Sequence, residues 1–107
     1  MTAPHRLAAV LLLAATPAAA QEFPGDPGAG GELALRVCGV CHFVASEQVD
    51  PVSAEAPPFD EIAADPAVTE LSLRVFLRTP HTQMPDLVLT PQETDDVISY
   101  ILTLKAP

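Results

Sequence analysis

The sequence predicts an all-α domain of three to four short helices. Three observations carry that prediction. Apolar residues recur at three- and four-residue intervals within separate segments, as one face of a helix requires. Helix-start signals stand directly before those segments, the clearest being Thr90-Pro91-Gln92-Glu93. No run of alternating apolar and polar residues is long enough to read as a half-buried strand.

The elements follow in chain order. Residues 1–20 read as a secretory signal: Arg6 carries the early positive charge, LAAVLLLAA is a short apolar run, and TPAAA places small residues at Ala18 and Ala20. Cleavage is expected between Ala20 and Gln21, with a retained membrane anchor as the alternative. The run is shorter than the roughly 20 apolar residues of a bilayer span. FPGDPGAGG, residues 23–31, is rich in proline and glycine, so residues 21–29 are expected to form a flexible leader to a domain of residues 30–107. The first helix is expected from Gly31, with Leu33, Ala34, Val37, Cys38 and Cys41 on one stripe.

Residues 44–58 carry prolines at 51, 57 and 58 and no sustained period, and read as a loop. Phe59 and Ile62 predict one helical turn over 59–64, ended by Asp65-Pro66. Thr69 is placed to cap a helix over 70–79 whose inward face is Leu73, Phe76 and Leu77, and Pro80 stops it. HTQMPDLVL is a second loop. The last helix is expected from Pro91 to about Leu104, with Val97, Ile98, Ile101 and Leu102 on one face. Asp95 and Asp96 add negative charge towards its positive end.

Removal of the signal leaves about 87 residues, enough for one domain. Its four bases (Arg36, Arg74, Arg78, Lys105) face fourteen acids, a net charge of −10 with histidine neutral. Such a chain is repelled by nucleic-acid phosphates and anionic lipid; its charge serves either solubility alone or a partner with a basic docking face. A domain of this size has a marginal core and needs a staple. A disulfide between Cys38 and Cys41 closes too short a loop to supply it. Another source of buried apolar surface is expected.

VCGVCH, residues 37–42, is the place to look for one. C-x-x-C-H is an attachment pattern for haem c. On a helix, positions i, i+3 and i+4 share a face, so two thiols can meet one porphyrin edge while the histidine is carried beneath it. Gly39 and Val40 are small enough for close approach. The competing readings each ask for more than the chain offers. A thioredoxin-like pair wants a βαβ setting, and zinc wants a second ligand pair where only His81 is available. An inert local disulfide is the remaining alternative.

If His42 binds iron, the sixth position needs another donor. Beyond residue 20 the chain has one methionine, Met84, one other histidine, His81, and one lysine, Lys105. Met84 lies in a loop and Pro85 biases it away from helical geometry, which suits a thioether laid against a flat ring. A thioether opposite imidazole is an established haem pair. His81 is the competing ligand, and a gap-filling methionine is the alternative role for Met84.

These residues together resemble the class I c-type cytochromes, in particular short monohaem periplasmic forms from bacteria, over residues 30–104. Cys38, Cys41 and His42 match the attachment motif, and Met84-Pro85 matches the axial methionine loop. Gly30 and Ala34 match first-helix positions that cross the last helix, where Val97 and Tyr100 match the other side. Pro57 resembles the proline whose carbonyl accepts from the proximal imidazole. Ala56 stands where the family often has glycine before that proline, which leaves Pro58 as the alternative to Pro57; Ala34 replaces an aromatic residue, and no tryptophan is present to bond a haem propionate. Arg78 and Tyr100 are candidates to replace it in that bond, with a solvated arginine and a core tyrosine as the alternatives.

The resemblance implies a cytochrome c-like fold wrapped around one covalent haem c, and one-electron transfer without catalysis. Phe43, Phe59, Leu73, Phe76, Leu77, Leu87 and Ile101 are candidates for the apolar wall. Redox proteins are the implied partners, and with one lysine the chain lacks the lysine ring of the mitochondrial forms. An electron-accepting subunit of a periplasmic dehydrogenase or oxidase is the alternative with the same site chemistry. A ligand-responsive haem protein and a thiol–disulfide enzyme are the other classes.

Overall fold

The computed structural model describes Met1 and residues 23–52, 55–85 and 87–107. The expected signal segment and its cleavage point, apart from Met1, lie outside the described residues. Four helices follow in order: α1 (Pro27–Val37), α2 (Phe59–Ala64), α3 (Glu70–Arg78) and α4 (Pro91–Thr103). There is no strand among the described residues. The all-α class holds, and α2, α3 and α4 lie within a residue of where caps and prolines place them.

The first helix differs from expectation. It begins at Pro27, and residues 23–29 are not a loose leader. Asp26 is the N-cap: its Oδ1 accepts from the N–H of Gly28 at 2.8 Å and of Ala29 at 3.2 Å, with Pro27 at the first helical position. The segment before it is tied to α4. Gly25 donates its N–H to Ser99 Oγ at 3.2 Å, Asp26 donates to Asp96 Oδ1 at 2.8 Å, and Phe23 packs against the core.

The glycines that read as helix breakers make this docking work. A Cβ on Gly30 would strike the backbone carbonyl of Asp96, and one on Gly31 would lie 3.0 Å from the Tyr100 ring. A glycine costs a helix about 1 kcal/mol relative to alanine. Here tertiary packing of α1 on α4 outweighs that local preference.

α4 is the hub. α1, α2 and α3 each approach it closely along the backbone, and they do not so approach one another. Val97 and Ile98 are each 1 % exposed, and Ala34, Phe59, Leu73 and Ile101 close around them. Arg74 on α3 bridges Glu70 Oε1 at 3.0 Å and Asp95 Oδ1 at 2.7 Å, tying α3 to α4. Asp95 and Asp96 therefore do more than decorate a helix end: one is an ion-pair partner, the other a buried acceptor for Asp26 and Gln92.

Candidate functional site

α1 delivers the cysteines. Cys38 is its C-cap, with φ −82° and ψ −30°, and its N–H donates to Ala34 O at 2.8 Å. The next residues prolong the helical turn: Cys41 N–H and His42 N–H both donate to Cys38 O, at 3.0 and 2.8 Å. Cys38, Cys41 and His42 thus keep the i, i+3, i+4 relation beyond the end of the helix.

Both cysteines are free. Cys38 is 8 % exposed, and burial pushes its thiol up to about 11. A buried thiol held protonated is a poor nucleophile for disulfide exchange. No group of three His, Cys, Asp or Glu side chains placed to hold a metal ion occurs among the described residues.

His42 is oriented by a single strong contact. Its Nδ1 lies 2.7 Å from the carbonyl oxygen of Pro57. A carbonyl can only accept, so Nδ1 carries the proton and the lone pair is left on Nε2, the tautomer a metal ligand needs. The bond also raises the basicity of the ring. Phe59 flanks the imidazole at 5.4 Å between ring centroids, and its own N–H donates to Phe43 O at 2.8 Å.

The segment leaving His42 is held from several sides. Tyr100 donates its hydroxyl to Val44 O at 2.9 Å. Gln48 donates through Nε2 to His42 O at 2.8 Å and Gly39 O at 3.2 Å, and its Oε1 accepts from the N–H of Val44 and Ala45. Gln48 was not among the residues singled out from sequence: a polar residue in an aperiodic loop gives no signal of a role.

The remaining candidates lie around α3 and the loop after it. Met84 is half-buried in a bend ahead of Pro85, and Arg78, the last residue of α3, is exposed. His81 stacks on Phe76 with centroids 3.8 Å apart and planes at 30°. An open groove of about 480 Å³ runs along Leu71, Val75, Phe76 and His81, and none of Cys38, Cys41, His42 or Met84 lines it. Of the wall candidates, Phe59, Leu73 and Ile101 are buried and Leu77 and Leu87 half-buried, whereas Phe43 and Phe76 are 44 % and 49 % exposed. The structure thus joins Cys38, Cys41, His42 and Pro57 in one bonded unit, with Tyr100 attached through Val44. Arg78, His81 and Met84 belong to a separate stretch of chain.

Two soft thiols and an imidazole with a free lone pair, on one turn of an all-α domain and beside buried aromatic carbon, fit a covalent porphyrin with iron. That combination is the design of the c-type cytochromes, and the chain belongs to that family. It is 35 % identical over 101 residues to cytochrome c-552 of Bradyrhizobium diazoefficiens, an alignment that covers 94 % of this chain and 96 % of the relative. No family model matches the chain, and no solved structure matches it. As a c-type cytochrome it carries covalently bound haem c and is an electron carrier working with redox partners, not an enzyme. No helix among the described residues is long and apolar enough to cross a membrane.

Proposed function

We propose that the chain is a class I, monohaem cytochrome c of the bacterial periplasm, passing single electrons with His42 and Met84 as axial ligands. The observation that carries this reading is the bond from His42 Nδ1 to Pro57 O at 2.7 Å, directly after a C-x-x-C turn. Haem c supplies a one-electron iron couple when bound. Cys38 and Cys41 anchor it through thioethers, and His42 presents Nε2 to the metal. Met84, in the loop after α3, would supply a thioether to the same metal. Held by both side chains, the iron would serve electron transfer rather than substrate binding. A thioether ligand and an apolar surround favour the reduced form.

Arg78 and Tyr100 divide in role. The Tyr100 hydroxyl is engaged by Val44 O, so we assign contact with a propionate to the exposed Arg78. The periplasmic address rests on the signal pattern of residues 1–20. The partner is assigned a basic face, because residues 38–73 contain seven carboxylates and no lysine or arginine.

The test is to express the chain with and without a haem c maturation system. Matured protein should keep its colour through acid–acetone extraction, and loss of colour would refute covalent attachment. Met84→Ala should lose the sulfur-to-iron charge-transfer band and retain the haem. Persistence of that band would remove Met84 as a ligand.

A further inference from the structure

α1 ends before His42, and the chain then turns away. The carbonyls of Gly39 and His42 are consequently left without the helical N–H partners that a continued helix would provide. Immediately downstream, the N–H groups of Val44 and Ala45 have no helical acceptor either. One side chain meets all four. Gln48 Nε2 donates to His42 O at 2.8 Å and Gly39 O at 3.2 Å, and Oε1 accepts from Ala45 N at 3.0 Å and from Val44 N. The amide orientation is unambiguous, since two carbonyls can only accept and two N–H groups can only donate. Gln48 is half-buried, and no such four-way engagement is made by any other side chain among the described residues.

We propose that Gln48 is the positioning residue for the imidazole of His42, an inference that rests on His42 being the proximal ligand. Pro57 O fixes the ring by its Nδ1, but a ring held at one edge can still move with its backbone. Gln48 removes that freedom by clamping the backbone on both sides of His42. Phe59 N–H on Phe43 O and the Tyr100 hydroxyl on Val44 O hold the chain just beyond, at 2.8 and 2.9 Å. The position of Nε2 relative to the Cys38–Cys41 turn is therefore set by Gln48 and Pro57 together.

The test compares matured wild-type protein with Gln48→Met, which keeps length and removes every polar contact, and with Thr69→Ala. The latter weakens the distant α3 cap and controls for lost stability alone. The readouts, taken well below the melting temperature, are exchange of the His42 Nδ1 proton and the iron-displaced resonances of the His42 ring. Gln48→Met should speed that exchange roughly fivefold, the factor by which loss of one net hydrogen bond raises the population of the opened site. It should also displace the ring resonances, with haem and the sulfur charge-transfer band retained. Thr69→Ala should move neither readout. Wild-type exchange in Gln48→Met, or an equal change in Thr69→Ala, overturns the proposal. Should Gln48→Met fail to mature, Gln48→Asn takes its place: it is one methylene shorter and reaches only one pair of partners, so unchanged exchange in it also overturns the proposal. Absence of any iron-displaced His42 resonance in wild-type protein would instead refute the ligation itself.

Discussion

At the scale of single residues, the site depends on which atoms are already committed before any partner arrives. Pro57 commits His42 Nδ1 and so frees Nε2. Val44 O commits the Tyr100 hydroxyl at 2.9 Å, which makes Tyr100 a brace between α4 and the attachment turn. Tyr100→Phe deletes that bond and leaves the ring packed on Gly31. It should cost about 1 kcal/mol in denaturant unfolding of the haem-loaded protein. The visible spectrum and reduction potential should stay as in wild type; a shifted potential would mean that the hydroxyl serves the cofactor after all. The same commitments explain what can be read from residues alone. Cys38, Cys41 and His42 are readable because their spacing is local and chemically constrained. Gln48 is not, because its four partners converge only when residues 39–48 close into a loop.

At the scale of elements, local capping explains why α3 and α4 are where the sequence puts them, while α2, which has no side-chain cap, is bounded by Pro58 and by Asp65-Pro66. Thr90 Oγ1 accepts from Glu93 N–H at 3.2 Å and Glu93 Oε2 accepts from Thr90 N–H at 2.8 Å, a reciprocal box at the start of α4. Thr69 and Ser72 form the equivalent box on α3, at 3.1 and 2.8 Å. α1 begins earlier than expected although its cap is local, since Asp26-Pro27 repeats the cap-and-proline signal of Thr90-Pro91; the glycines behind it mask that signal because they favour a helix only against α4, where Gly30 lets backbone meet backbone. Thr90→Ala should cost about 1 kcal/mol of stability, since α4 carries every other helix. The box also makes a pH signature. Bonds from the Thr90 N–H, and then from its side chain, hold the Glu93 carboxyl below its ordinary 4.5. Folding thus favours the ionised form, so this contribution is complete above pH 4.5 and is lost as pH falls through the lower folded value. Glu93→Gln should flatten that part of the melting-midpoint curve; parallel curves for variant and wild type would show that the box does not couple to protonation.

At the scale of the whole molecule, a hub with three spokes has a weakness that a layered bundle lacks. α1, α2 and α3 each approach α4 closely along the backbone and do not so approach one another, meeting only through side chains of the shared core. α2 is six residues long and α3 nine, well under the roughly 12–15 residues at which isolated helices become even marginal in water. Several large apolar side chains stay open on the protein surface as well, Leu71, Val75 and Phe76 at 71 %, 58 % and 49 %. A domain this small has little core to spare for such exposure. Covalently bound haem c adds a rigid apolar group, and with it buried surface, to this small set of helices. Because it is covalent, its contribution does not dilute away as a dissociable ligand's does. Residues 21–107 produced without haem maturation should therefore show little far-ultraviolet helix signal and no cooperative melt. The matured protein should melt in one transition. The α1–α4 crossing is the part with the most direct packing, so any residual helix in the haem-free chain should sit there. Hydrogen exchange that found α2 and α3 as protected without haem as with it would show that the hub suffices, and that the porphyrin is cargo on a finished fold.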